Sequence, residues 1–162
     1  MITYAKLGRL IGFDRVKIRF DPILIGITPR ITLNDTLNRF YNISHILRGD
    51  TKEITFSFLD KYPKLPSNIR TLTDKEMIIA TNYFVSKIGP RFDLYSCAEN
   101  INNPEVHKNR CIDPEMFIKM GMKIDDIDEK DTTQRLLCKC YPSIDIGEYH
   151  SCKHGCSYCY SK

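Results

Sequence analysis

The feature that most constrains the fold of this chain is an alternation of strand and helix patterns along its first hundred residues. Stretches rich in β-branched and aromatic residues predict strands at 15–21, 53–59 and 92–96. Apolar residues recur at helical spacing over 32–47 and over 73–88. The order strand, helix, strand, helix, strand is typical of a parallel sheet covered by helices.

Local signals set the ends of several elements. Thr73 and Glu76 form a capping-box pattern that opens the second helix, and Asn34 or Asp35 is expected near the start of the first. Pro22 lacks a backbone N–H, so the first strand should end near Asp21. A short helix is predicted over 113–120, and 143–146 is a candidate fourth strand.

Chain length limits how this sheet can close. A closed (β/α) barrel takes roughly 250 residues, whereas this chain has 162. We therefore expect an α/β fold, with a partial (β/α) barrel of parallel strands over 1–132 and a cysteine-rich tail over 133–162 packed on the same domain. An open sheet edge would need a partner chain that supplies strands, a second copy of this chain, or a cover.

No stretch of the sequence predicts a membrane span or a secretory signal. No run of about 18 apolar residues occurs, and Lys6 and Arg9 interrupt the apolar start of the chain. We therefore expect a cytoplasmic protein. Its formal net charge of +4 is concentrated in the first thirty residues, which favours either a solvated basic surface or a nucleic-acid surface.

Cysteine is the unusual component of the composition. Five of the seven cysteines fall in the last 25 residues, and clustered thiols in a reducing compartment are more often metal or redox groups than disulfides. Cys152, Cys156 and Cys159 have the spacing Cys-x3-Cys-x2-Cys, with Tyr158 before the last. Three thiolates on one loop can hold three irons of a [4Fe–4S] cluster and leave the fourth open.

This spacing, with its preceding aromatic residue, resembles the radical S-adenosylmethionine superfamily. The resemblance implies that Cys152, Cys156 and Cys159 are cluster ligands and that the open iron binds S-adenosylmethionine. Reductive cleavage would then give a 5′-deoxyadenosyl radical that abstracts hydrogen from a substrate. Tyr158 would bind the cofactor on its adenine side, and a reductant such as ferredoxin or flavodoxin would supply the electron.

More of the chain resembles a narrower family known only as a domain of unknown function, some of whose members are labelled DNA repair photolyase. The matching stretches run from about residue 13 to the end: Arg19-Phe-Asp-Pro-Ile-Leu24, Ser57-Phe-Leu-Asp60, Leu94-Tyr-Ser-Cys-Ala-Glu99, Cys111-Ile-Asp113, Cys138-Lys-Cys140 and Ser143-Ile-Asp-Ile-Gly147. The resemblance implies that this chain corresponds to the latter part of a longer pattern. The photolyase label implies a nucleic-acid base as a substrate.

Four cysteines remain outside the triplet. Cys97, Cys111, Cys138 and Cys140 could hold an auxiliary [4Fe–4S] cluster or a structural zinc ion. Buried apolar thiols are the alternative for Cys97 and Cys111.

Polar residues near the ends of the predicted strands are candidate catalytic groups, because barrel enzymes build active sites there. These are Arg19, Asp21, Asp60 and Glu99. Arg19 could bind a carboxylate or phosphate, and the acidic residues could bind the ribose or amine of the cofactor. In the simpler reading, Asp21 and Asp60 cap loops and Arg19 pairs with one of them.

Two other functional classes fit the cysteines. A structural zinc module could use Cys138, Cys140, Cys156 and Cys159, although it leaves Cys152 unused. An electron-transfer iron–sulfur module is the second, but the ferredoxin spacing Cys-x2-Cys-x2-Cys-x3-Cys-Pro is absent from the sequence. A catalytically incomplete fragment that needs a partner is a further possibility.

Overall fold

The computed structural model describes residues 2–26, 31–47 and 51–159. Its described residues form a mixed α/β fold with four helices, a single short 3-10 turn at Phe13–Arg15 and four strands. In chain order these are α1 (Ile2–Ile11), β1 (Ile18–Ile23), α2 (Leu33–Ile46), β2 (Glu53–Phe58), α3 (Asp74–Lys87), β3 (Asp93–Ser96), β4 (Val106–Lys108) and α4 (Pro114–Lys119).

The four strands make one parallel sheet in the order β1-β2-β3-β4. This order places β1 and β4 at opposite edges, so the sheet is open over the described part of the chain. The predicted parallel sheet is confirmed. Closure into a barrel is not seen.

Two capping boxes fix where the long helices begin. The Thr73 hydroxyl accepts a hydrogen bond from the Glu76 backbone N–H, and the Glu76 carboxylate accepts one from the Thr73 backbone N–H, as predicted. The first of the two helices is capped by Thr32 with Asp35 in the same reciprocal way. Asp35 therefore lies near this helix start as expected, but the N-cap is Thr32.

The main core lies between the sheet and the α2–α3 pair. Ile54, Phe56 and Phe58 alternate along β2 and belong to the same buried cluster as Phe40 of α2 and Phe84 of α3. The rings of Phe40 and Phe84 meet edge to face at 4.6 Å, and those of Phe56 and Phe84 at 5.0 Å. This aromatic cluster fixes both helices on one face of the sheet.

The prediction of the fourth strand was wrong in position. Residues 143–146 form no strand, and Ile144 and Ile146 are 90% and 100% exposed. Their alternating pattern lacks a neighbouring strand to pair with. The fourth strand is Val106–Lys108, in which only Val106 is buried.

β1 also differs from expectation, because it continues through Pro22 to Ile23 with a register shift after Phe20. Proline is tolerated there because β1 is an edge strand. The helix α1 has no counterpart among the sequence predictions. No helix in the described part of the chain has both the length and the apolar character needed to cross a membrane.

Candidate functional site

The face of the sheet opposite α2 and α3 carries polar and thiol side chains. One row across the sheet joins Arg19, Thr55, Tyr95 and His107, which are direct register partners on successive strands. These residues alternate with the core residues Ile54, Phe56 and Leu94 and therefore point the other way. We call this surface the polar face.

The chain crosses back over the polar face after β4. The sheet edges β1 and β4 are about 14 Å apart at ordinary strand spacing. Nevertheless, Lys17, just before β1, forms an ion pair at 2.7 Å with Asp113. Asn109 donates a hydrogen bond at 3.0 Å to buried Thr55 of β2. The segment 109–113 therefore covers the polar face from β4 to β1.

This crossing brings four of the cysteines together. Cys97 directly follows β3, and its Sγ lies 3.2 Å from Cys111 Sγ. The Cys111 backbone N–H donates to Cys140 Sγ at 3.2 Å, and the Cys140 N–H donates to Cys138 Sγ at 3.5 Å. We call Cys97, Cys111, Cys138 and Cys140 the four-thiol group.

Arg19 links the four-thiol group to Asp21, the one acidic residue of β1. Its guanidinium donates to Cys111 Sγ, interacts with Cys97 and pairs with Asp21. A hydrogen bond from Cys111, together with Arg19, lowers the pKa of Cys97 to about 6 against the opposing effect of burial. Asp21 also accepts a hydrogen bond from Ser57. The expected pairing of Arg19 with a neighbouring carboxylate is therefore present, and the pair lies beside thiols.

Glu99 is a half-buried carboxyl that follows β3, at the carboxyl end of the sheet. One of its oxygens accepts the Phe58 backbone N–H at 2.7 Å. Burial raises the pKa of Glu99 to about 7 despite that hydrogen bond, and the negative charges of Cys97 and Asp21 act in the same direction. A carboxyl with this pKa can either hold or release a proton near neutral pH.

Asp60 differs from the other candidate catalytic residues. Its side chain is mostly exposed and pairs with Arg135. Asp60 and Glu99 both line a groove of about 640 Å³ beside α3, which has Asn82, Asn100 and Leu137 among its other lining residues. The structure thus places Asp60 at the groove rather than on the polar face.

The cysteine tail lies against the carboxyl ends of β1 and β2 through Tyr158. This ring packs on a small cluster formed by Leu24, Leu59 and Ile69, and the Tyr62 hydroxyl donates a hydrogen bond to the Tyr158 carbonyl oxygen. Burial and the neighbouring Cys156 raise the pKa of Tyr158, with Asp21 contributing as well. The tail therefore lies close to the Arg19–Asp21 pair.

The tail cysteines are not all equally placed. Cys156 and Cys159 are half-buried on one turn, closed by a hydrogen bond of 3.1 Å from the Cys159 N–H to the Cys156 carbonyl oxygen, whereas Cys152 is exposed. Over residues 2–26, 31–47 and 51–159, no three His, Cys, Asp or Glu side chains converge in a geometry that would hold a metal ion. The donor chemistry of the triplet suits iron–sulfur ligation, and of its three thiols only that of Cys152 is exposed.

Several residues of this region were not identified from the sequence. Lys17, Asn109 and Tyr62 make contacts between segments that are 54 to 96 positions apart, and a local pattern cannot show such contacts. His107 belongs to β4, where its ring lies 5.2 Å from that of Tyr95. His107, Asn109 and Cys111 are spaced two residues apart. This spacing is typical of extended chain and was the sequence signal that could have indicated it here.

The basic first thirty residues are partly neutralised in the structure. Lys17 and Arg19 pair with Asp113 and Asp21, and Arg30 lies outside the described residues. Lys6 and Arg9 are exposed on α1. The basic surface in this region is therefore smaller than the charge count suggests.

Comparison with known proteins identifies a family over almost the whole chain. The family model described as Domain of unknown function (DUF1848) matches residues 1–161. The match includes the first twelve residues, which carry none of the motifs discussed above. No curated protein and no solved structure gives a significant match. The chain therefore belongs to the DUF1848 family, a domain family of unknown function.

Proposed function

We propose that this chain is an iron–sulfur protein of the radical S-adenosylmethionine type, with Cys152, Cys156 and Cys159 as the cluster ligands. The observation that carries the proposal is the position of the tail. Tyr158 packs its turn against the carboxyl ends of β1 and β2, within electrostatic reach of Asp21. Carboxyl ends of parallel strands are where α/β folds commonly place their chemistry.

The chain's own residues would have separate tasks in this site. When bound, a [4Fe–4S] cluster with one open iron supplies the electron that cleaves the sulfonium bond of S-adenosylmethionine. Cys156 and Cys159 present two thiolates from one turn, and Gly155, at a φ of 64°, allows the bend before them. Asp21 offers a carboxylate for the cofactor's amine or ribose, and Arg19 holds that carboxylate in place.

Glu99 would control a proton beside this site. Its carboxyl is fixed by the Phe58 N–H through one oxygen, Oε1, so Oε2 is left to hold or accept a proton. Tyr158 contributes an apolar ring face for the adenine side of the cofactor, and its backbone is anchored by Tyr62. Asp60, in the neighbouring groove, is proposed as a substrate-side carboxylate.

The test is anaerobic reconstitution of the full chain with iron and sulfide, followed by reduction with dithionite or flavodoxin. We expect about four irons and four sulfides per chain at the tail site, and release of 5′-deoxyadenosine from S-adenosylmethionine. Replacing Cys152, Cys156 or Cys159 by Ala should abolish both, whereas Ser157→Ala, a change in the same exposed loop, should retain both.

A colourless protein whose tail cysteines bind zinc would contradict the proposal. A brown protein that binds four irons yet leaves S-adenosylmethionine intact would instead support electron transfer or an incomplete enzyme. Metal content alone distinguishes the zinc-binding protein from the iron-binding one, so this distinction does not require a known substrate.

The proposed substrate class is a nucleic-acid base, supported by the exposed basic residues Lys6 and Arg9 on α1. Nucleic-acid affinity that falls steeply with added salt would support it. The dependence on salt should be weaker for a Lys6→Ala, Arg9→Ala double variant.

We also propose that β1 and β4, as open sheet edges, accept strands from a partner chain or a second copy. Light scattering of the purified chain tests the second case.

A further inference from the structure

We propose that the four-thiol group, Cys97, Cys111, Cys138 and Cys140, is a second metal site that binds a single thiolate-preferring divalent ion, Zn²⁺. The site would be independent of the tail triplet, and its residues come from three separate parts of the chain. It does not depend on the proposed radical chemistry.

Three contacts join the four residues in series. Cys97 meets Cys111 through their sulfurs, Cys111 meets Cys140, and Cys140 meets Cys138. Each of the four residues therefore contacts at least one other member of the group, and four is the number of ligands in a closed structural zinc site.

The surroundings suit thiolates better than apolar thiols. Cys97, Cys138 and Cys140 are buried, and Cys111 is half-buried. Two backbone N–H groups donate to sulfur within the group, and the Arg19 guanidinium donates to a third sulfur. Burial of several thiolates would be costly without a compensating cation, and a divalent ion supplies that compensation.

The short distance between the Cys97 and Cys111 sulfurs favours one ion over a cluster. Four thiolates around one tetrahedral zinc, at Zn–S bonds of about 2.3 Å, lie about 3.8 Å from each other. The Cys97 and Cys111 sulfurs are 3.2 Å apart, so this pair must separate by about half an ångström to reach that geometry. The described donors do not yet stand in a metal-holding arrangement, so the other thiols must also turn toward the ion when it binds. Ligands of a [4Fe–4S] cluster bind four different irons and must stand farther apart than ligands of a single ion.

An ion at this position would fasten a region that has little regular structure. The described chain between Gly121 and Cys159 contains no helix or strand, and 138–140 reaches the rest of the fold mainly through backbone hydrogen bonds near Ile112 and Asp131. A metal ion bound to Cys97, Cys111, Cys138 and Cys140 would join this region to the end of β3. Structural zinc contributes directly to folding free energy in such cases.

The experiment measures zinc in the full chain carrying Cys152→Ala, Cys156→Ala and Cys159→Ala together, which removes the proposed cluster ligands. We expect about one zinc per chain to remain. Adding Cys97→Ala or Cys138→Ala to this background should remove most of it. Replacing the zinc by Co²⁺ should give the thiolate charge-transfer and tetrahedral d–d absorption bands, which the same two additions should abolish.

A second measurement tests the site without the Cys97→Ala and Cys138→Ala substitutions, in case these variants fail to fold. Stepwise blocking of the thiols of the tail-substituted chain with an organomercurial should release zinc to a colorimetric chelator as the four remaining thiols react. Retention of iron and sulfide in place of zinc would overturn the single-ion proposal, and the absence of any bound metal would overturn the site. Neither result bears on the tail, so failure here is distinguishable from failure of the proposed function.

Discussion

Replacing Glu99 by Gln removes an ionisable carboxyl from a half-buried position while preserving an oxygen for the Phe58 N–H. The pKa of Glu99 is about 7 in the folded chain, against 4.5 when the group is unperturbed. At pH values between these two, the unfolded chain releases this proton and the folded chain retains it. The wild-type chain therefore loses stability relative to Glu99→Gln as the pH rises from 4.5 to 7.

The size of this effect follows from the pKa difference. At 1.36 kcal/mol per pH unit, it amounts to about 3 kcal/mol at full ionisation, and this is an upper bound because the carboxyl is only partly buried. Relative to wild type, the variant should gain less than about 1 kcal/mol at pH 5 and approach about 3 kcal/mol at pH 8. Below pH 4.5 the ionisation contributes almost nothing.

Urea unfolding at pH 5, 6, 7 and 8 measures the difference, with both proteins at the same metal content. The change of side chain can also shift the free energy of unfolding by an amount that is the same at every pH. Such a shift does not affect the test, because the test is how the difference between the two proteins changes with pH. Glu105→Gln, a substitution at an exposed position near β4, is the matched control and should show no such trend. A difference between Glu99→Gln and wild type that stays flat from pH 5 to 8 would show that the Glu99 carboxyl is well hydrated.

Three further substitutions test the core, a helix cap and the attachment of the tail. Phe84→Ala should lower the free energy of unfolding by about 3–5 kcal/mol, because Phe84 is fully buried. Ile78→Ala, at a 60% exposed position of the same helix, should lower it far less, and equal losses in urea unfolding would contradict the packing of Phe84 in the core. Thr73→Ala should cost about 1 kcal/mol through the lost N-cap, and Thr73→Ser should restore most of it; no difference between them would argue against the capping box. Tyr62→Phe should speed proteolysis of the chain after residue 141 without changing global stability, because the hydrogen bond to the Tyr158 carbonyl oxygen is lost. An unchanged cleavage rate would show that this hydrogen bond does not hold the tail on the sheet.

The sequence was most informative where the determinants of structure are local. The α3 boundary followed from Thr73 and Glu76, which are three residues apart and satisfy each other's backbone groups. β2 was recognised because Ile54, Phe56 and Phe58 alternate on the buried face. β4 escaped detection because it has three residues and only Val106 is buried, so its pattern is too short to stand out.

The candidate site was predicted in its residue types and only partly in its arrangement. Cys97 and Glu99 were expected after a strand, and they are there. The meeting of Cys97 with Cys111 and of Arg19 with Cys111 depends on the return of the chain across the polar face. That return is held by contacts such as Lys17 with Asp113, 96 positions apart, and no periodicity or motif encodes such a distance.

The crossing of 109–113 over the polar face has a kinetic consequence. The sheet and its helices join elements that follow one another along the chain, whereas the contacts of Lys17, Arg19 and Tyr62 close loops of more than 90 residues. Long loops close at a higher entropic cost and later than short ones. We expect the helix-covered core to form first and the thiol-bearing layer last, so the cysteines are open to metal and to oxidants until the final stage of folding.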